Sequence, residues 1–267
     1  MAEGTLKPTT SQRFKSLRYG LHPFYRRSGV YSLRHPVQRT ASLPSIDSRV
    51  VVSSERKFIF VRVPKCANTT LLTTLWLCAK GLGTEDLERY SADERKQLLR
   101  KQTMRHVFLS PSDLSSSQAY EALESYKTCI FVRNPFTRLA SAYFYKIAKG
   151  RTAERLGLGP KPSFLHFCEF LRDDGLHADI HWMPQTHICP IPPERLHFVG
   201  RMENLVEDLD AMTQMLYQRS APLLSRQHHA TGADSRLRDL YGPEETEIVR
   251  NLYSDDFAAF GYSPEPF

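Results

Sequence analysis

The sequence predicts the α/β class: a central parallel sheet flanked by helices on both faces. Three observations carry this. The short runs Phe58–Val63, Thr128–Val132 and Leu196–Gly200 are mostly apolar, β-branched or aromatic, as in strands buried on both sides. Segments of helical length separate them, so strand and helix alternate along the chain. The composition, 41% hydrophobic and 24% charged over 267 residues, supplies a core large enough for such a sheet. It excludes collagenous, coiled-coil and wholly disordered chains. The strongest apolar stretches, Phe58–Val61 and Leu71–Ala79, fall short of the roughly 18–20 residues of a membrane-spanning helix, and no secretory segment is read.

Residues 1–48 are rich in Arg and Ser and poor in acids, and read as a basic arm ahead of a domain over 49–267. The aromatics Tyr19, Phe24, Tyr25 and Tyr31 imply that part of this arm packs on something. Phe58–Val63 is the first strand, ended by Pro64. Leu71–Lys80 is an apolar helix closed by Gly81. Thr84–Lys101 reads as a polar helix with acids early and bases late, as the helix dipole prefers. His106–Leu109 is a second short apolar run. Ser112–Tyr126 is helical with Ser112 or Asp113 as cap. Thr128–Val132 is a strand, and Pro135 opens a helix through Ile147. Gly150–Pro162 reads as a loop, Phe164–Leu171 as a helix and Leu196–Gly200 as a strand. Helices over Glu203–Tyr217 and Glu244–Tyr253 complete the chain.

The net charge of +7 invites a partner that is polyanionic, but its distribution does not support a basic body. Residues 1–40 hold eight basic residues and one acid; the other 227 hold 28 of each and are formally neutral. No nucleic-acid partner is therefore expected of the domain. Five cysteines without a CxxC pair suit reduced thiols in a soluble, cytoplasmic protein, with a Cys168–Cys189 disulfide as the alternative. The basic arm leaves organellar targeting open.

Two strand-to-helix turns carry chemistry. In Pro64-Lys-Cys-Ala-Asn-Thr-Thr70 a tight loop of small residues feeds a helix start, which offers backbone N–H groups and a positive dipole end to an anion. The turn is P-loop-like in outline. It lacks GxxxxGK[ST], since Lys65 precedes the small residues and no glycine is present. In Val132-Arg-Asn-Pro-Phe-Thr-Arg-Leu-Ala-Ser-Ala-Tyr143, Arg133 ends a strand and Ser141 follows two turns along the next helix. Arginine suits bidentate capture of a terminal phosphate, and a hydroxyl adds one bond. Read singly, each turn is also consistent with a strand-end cation and a packing side chain.

Together these turns resemble the PAPS-dependent sulfotransferases, in the branch of Golgi carbohydrate sulfotransferases and bacterial relatives. Arg62–Thr70 resembles that family's 5′-phosphosulfate loop, and Val132–Tyr143 its 3′-phosphate motif. His181-Trp-Met-Pro-Gln185 with Cys189, Phe198–Glu203 and Tyr253–Phe257 with Gly261-Tyr262 extend the likeness over residues 57 to 262. The resemblance implies PAPS as co-substrate and a hydroxylated acceptor, a glycan or small molecule. Lys65 would neutralise the leaving 5′-phosphate, Cys66, Ala67, Asn68, Thr69 and Thr70 would cradle the phosphosulfate, and Arg133 with Ser141 would hold the 3′-phosphate. No metal is required, because lysine and the helix terminus carry the neutralising charge.

A hydroxyl acceptor benefits from a general base, and histidine is best matched to neutral pH. His106 stands where related sulfotransferases place their catalytic histidine, with His181 next and Glu203 after it. His177, His181, His187 and Cys189 have no common zinc spacing, and Pro184 interrupts them. The alternatives are a nucleotide-dependent kinase or NTPase, disfavoured by the missing Walker A pattern, and a non-enzymatic nucleic-acid-binding protein driven by the arm.

Overall fold

The computed structural model describes residues 21–27, 43–91, 93–94, 107–222 and 239–266. Among these the sheet has four strands in spatial order β1 (Val50–Ser53), β2 (Phe58–Arg62), β3 (Lys127–Val132) and β4 (Phe198–Arg201). β2, β3 and β4 run parallel, as expected, with Phe60 opposite Cys129 and Ile130 opposite Val199. β1 was not read from the sequence. It turns back at Ser54–Lys57 and pairs antiparallel with β2, Val51 opposite Phe60, so the sheet is mixed. Leu109, in the second short apolar run, makes one antiparallel bridge to Val52 rather than a strand.

Helices cover both faces. α1 (Pro23–Arg27) and α2 (Leu43–Asp47) come from the arm, and Phe24, Tyr25, Leu43 and Ile46 sit in the core. Tyr25 Oη donates to Asp47 Oδ1 at 2.8 Å, and Asp47 also accepts from the backbone and hydroxyl of Ser112 at 2.9 and 2.7 Å. The expectation that part of the arm packs is met by these buried residues. α3 (Asn68–Lys80) buries everything from Leu71 to Cys78 and ends on Gly81, whose φ of 70° favours a residue without a Cβ. Of the polar helix expected over 84–101, α4 (Thr84–Glu88) is described and most of the rest lies outside the described residues.

α5 (Ser116–Ser125) is capped by Ser115, not by Ser112 or Asp113: its hydroxyl accepts from Gln118 N while Gln118 Oε1 accepts from Ser115 N. Ser112 is committed to Asp47. α6 (Pro135–Ala142) has Asn134 as cap and runs into a π-helical turn, Tyr143–Ile147, closed by Ala148 N to Tyr143 O at 2.9 Å. The loop expected over 150–162 contains α7 (Arg151–Arg155).

α8 (Phe164–Arg172), with the one-turn α9 (Gln185–Ile188), α10 (Leu205–Tyr217), α11 (Pro243–Leu252) and α12 (Ser254–Phe260), completes the layers. α8 and α11 pack on one another and on α6 around Phe136, Phe167 and Trp182. The five cysteines are buried free thiols, so Cys168 and Cys189 are not paired. No helix among the described residues is long and apolar enough to cross a membrane.

Candidate active site

The site forms at the carboxyl ends of β2 and β3, where a parallel sheet presents its ligand crevice. After β2 the chain adopts left-handed backbone twice without glycine, at Lys65 (φ 72°) and at Ala67 (φ 51°), each costing about 1–2 kcal/mol. Ala67 is the N-cap of α3 and supplies no side-chain cap. The amides of Asn68, Thr69 and Thr70 make no hydrogen bond among the described residues, so the positive end of a 13-residue helix is left open.

That helix end opens on a cleft of about 410 Å³. Lys65, Ala67, Asn68, Thr69 and Thr70 line it from one side. Ser141 and Tyr145, from α6 and its π turn, line it together with His181 and Arg49. Ser141 reaches the cleft because it lies two turns from Pro135 on the helix that β3 feeds. The Lys65 ammonium stands 4.1 Å from the centre of the Tyr145 ring, with Lys149 over the same ring at 5.8 Å.

The cleft is cationic and short of compensating acid. Burial, then Arg133, Lys149 and Arg138, lower the Lys65 pKa. Burial lowers Arg133 too, and burial with the Arg49 charge brings Arg62 down to about 10. Arg62 Nε and Asn68 Oδ1 are buried without a hydrogen-bond partner among the described residues. The Arg62 donor and the depressed cations suit an anion, whereas the Asn68 oxygen is an acceptor and would need a donor.

Not every expected residue faces the cleft. Arg133 stands behind the loop: Nη1 reaches Lys65 O at 3.4 Å and Nε donates to Thr137 Oγ1 at 3.0 Å. The Cys66 side chain points inward toward Gln185 Oε1 (3.7 Å), and burial pushes its thiol up to about 12, so only its backbone could serve a ligand. Glu203 accepts from Asn134 N and Tyr262 Oη, both at 2.9 Å, which occupies it structurally. His106, His228, His229 and Thr231 lie outside the described residues. The four residues weighed as a zinc set are dispersed in their bonding. His177 and His187 meet each other at 2.8 Å, His181 meets Asp179, and the Cys189 thiol meets Ile191 O.

Three residues missed by sequence reasoning fix the geometry. Arg138, fully buried, donates Nε to Pro64 O (3.1 Å), Nη1 to Met183 O (2.9 Å) and Nη2 to Ile180 O (3.3 Å). Gln185 accepts from Arg133 N at 2.9 Å and donates to Arg133 O at 2.8 Å. Asp256, buried at the start of α12, accepts from the amides of Gln185 (2.7 Å) and Thr186 (2.8 Å). Gln185 and Asp256 fall in segments already singled out, but their partners lie 52 and 71 residues away, beyond any local signal.

The loop and the open helix terminus thus meet Ser141 at one cleft, with the strand-end Arg133 behind the loop. The model of the sulfotransferase family matches residues 48–263. The chain belongs to the sulfotransferase family. It is 30% identical over 244 residues to carbohydrate sulfotransferase 14 of Homo sapiens, covering 80% of this chain and 60% of that protein. The Mus musculus protein of the same name is 31% identical over 182 residues, 62% of this chain and 46% of that one. Carbohydrate sulfotransferase 11 of Danio rerio is 24% identical over 263 residues, 85% and 70% of the two chains. The chain therefore spans only about half of its first carbohydrate sulfotransferase 14 relatives, between 46% and 60% of their length. No solved structure matches this sulfotransferase chain.

Proposed function

We propose that this sulfotransferase moves a sulfuryl group from PAPS to a carbohydrate hydroxyl by in-line displacement, releasing adenosine 3′,5′-bisphosphate. The observation that carries the proposal is the open amino terminus of α3 sharing one cleft with Lys65 and Ser141. The amides of Ala67–Thr70 would hold the 5′-phosphosulfate, and Lys65 would meet the charge that builds on the bridging oxygen as the S–O bond breaks. Ser141 would bind the 3′-phosphate, with Arg133 behind the loop completing that subsite. Sulfuryl transfer resembles phosphoryl transfer in needing positioned charge more than covalent help, and the cleft supplies that charge without a metal step. A histidine would take the hydroxyl proton, His106 being the sequence-based choice. Names of the relatives support a carbohydrate acceptor. Five cysteines without a CxxC pair support a reducing, cytoplasmic setting.

Isothermal titration with adenosine 3′,5′-bisphosphate tests the donor assignment. Saturable binding is expected, and no heat at millimolar ligand would sink the proposal. Lys65→Ala and Arg133→Ala should each lower transfer from PAPS by at least about a hundredfold, the scale of losing one preorganised charge at a reacting centre.

A further inference from the structure

One histidine in the cleft is already arranged as a proton acceptor. His181 lines the cleft with Lys65 and Ser141, and its Nδ1 lies 2.5 Å from Asp179 Oδ1. The same carboxylate oxygen accepts from the His181 backbone N–H at 2.9 Å, so ring and backbone are fixed to one anchor. Asp179 Oδ2 is held in turn by Lys146 at 3.4 Å. A carboxylate is an acceptor, so the imidazole proton belongs on Nδ1 and Nε2 keeps a bare lone pair. The ring also stands 5.8 Å from that of Tyr145, the ring that carries the Lys65 ammonium, which puts His181 beside the charge proposed to meet the leaving group.

We infer that His181, oriented by Asp179, is the catalytic base that removes the proton from the acceptor hydroxyl. The inference rests on the sulfuryl-transfer proposal and assigns its base to a different histidine from the one expected in sequence. Nε2 accepts the proton as the acceptor oxygen forms its bond to sulfur. The bond from sulfur to the bridging oxygen breaks, and its electron pair leaves on the 5′-phosphate of adenosine 3′,5′-bisphosphate. The imidazolium then returns its proton to water. Asp179 is a positioning residue that selects the tautomer and stabilises the imidazolium. Opposing it are the surrounding cations: Lys65 from the β2–α3 loop, Lys146 and Lys149 from the π turn and just beyond it, and Arg49 ahead of β1.

The test uses the full chain and its His181→Gln, Asp179→Asn, Asp179→Glu and His106→Ala variants. Each is titrated with adenosine 3′,5′-bisphosphate, assayed for radiosulfur transfer from PAPS to chemically desulfated chondroitin, and, for wild type and Asp179→Asn, examined by long-range proton–nitrogen NMR of the imidazoles. His181→Gln should lower kcat by about 10²–10⁴-fold while bisphosphate affinity stays within about threefold of wild type. Asp179→Asn should lower kcat less, move the acid limb of the pH–rate profile to lower pH and mix the tautomers, with Asp179→Glu restoring part of the rate. Wild-type His181 should carry its proton on Nδ1. A His181→Gln enzyme with wild-type kcat, a proton on Nε2, or a loss confined to His106→Ala would each overturn the assignment. Failure of the wild type to bind the bisphosphate would instead remove the sulfuryl-transfer proposal. If the glycan probe is not sulfated, the tautomer and its response to Asp179→Asn decide.

Discussion

Arg138 braces the two walls of the cleft, and replacing it with Met isolates that role. The side chain is fully buried and spends its three donor groups on Pro64 O, Met183 O and Ile180 O, joining the start of the phosphate loop to the segment bearing His181. Met fills a similar volume, so the loss is electrostatic rather than a cavity. Two buried carbonyls left without this donor cost about 1–3 kcal/mol each, and the part-buried Ile180 O costs less. Removing a buried guanidinium relieves several kcal/mol of desolvation, which offsets much of that sum. The expected net loss is about 3 kcal/mol, or a fall in Tm of about 6–12 °C for a chain of this size. Urea unfolding followed by tryptophan fluorescence and circular dichroism measures it, and bisphosphate titration of the folded variant should show weakened binding because Pro64 is no longer held. A variant that loses less than about 1 kcal/mol and binds as wild type would refute the brace.

Asp179 gives a pH signature of its own. Burial raises its pKa, but hydrogen bonds from His181 and the charges of His181 and Lys146 outweigh this and bring it to about 2. The folded value lies below the ordinary 3.8, so its stabilisation is present above about pH 4 and is lost as pH falls through about 2. Asp179→Asn should therefore be less stable than wild type by about 2 kcal/mol at neutral pH, a gap that closes in acid; a gap independent of pH would contradict the pairing. Gly200 lies in β4 under the ring of Phe131, where an added Cβ would come within 2.5 Å of ring carbon. Gly200→Val should cost about 1–3 kcal/mol in urea unfolding through overpacking, and a neutral result would mean that the ring moves aside freely. The Cys66 thiol, pushed up to about 12 by burial, should resist iodoacetamide at pH 8 in the native protein and react once unfolded, as mass spectrometry of the labelled peptide would show. Stoichiometric native labelling would refute its inward orientation.

The parts of this fold that announce themselves locally were legible. β2 and β3 are mostly apolar runs because both of their faces are covered, and the turns after them stand out because lysine, arginine and small polar residues end those runs. β1 was obscured by its neighbours: Val50-Val-Val52 is strongly β-forming, but four residues beside a basic arm look like an arm's end until the turn at Ser54–Lys57 pairs them with β2. The cap was misplaced by two or three residues because Ser112 and Asp113 offer the same kind of acceptor as Ser115, and only the tertiary demand of Asp47 assigns Ser112 elsewhere. Arg138 was opaque for a different reason. In a helix its spacing from Arg133 suggests a second surface cation, and nothing local says that three distant carbonyls will bury it.

The π turn after α6 has a consequence for how such chains tolerate change in length. A π turn winds one more residue into a helical turn than an α turn does. Tyr143–Ile147 therefore stores one residue of slack between Ser141, on the cleft, and the aromatic ring that carries Lys65. A one-residue deletion within it can be absorbed by relaxation to ordinary helix, leaving the packing of Phe136 and Leu139 upstream intact. The repair moves the residues of the turn itself by one position, about 100° around the helix axis, while the chain beyond it keeps its register. Tyr145 would leave the cleft while the fold survived, so insertions and deletions here separate foldability from the aim of one aromatic ring.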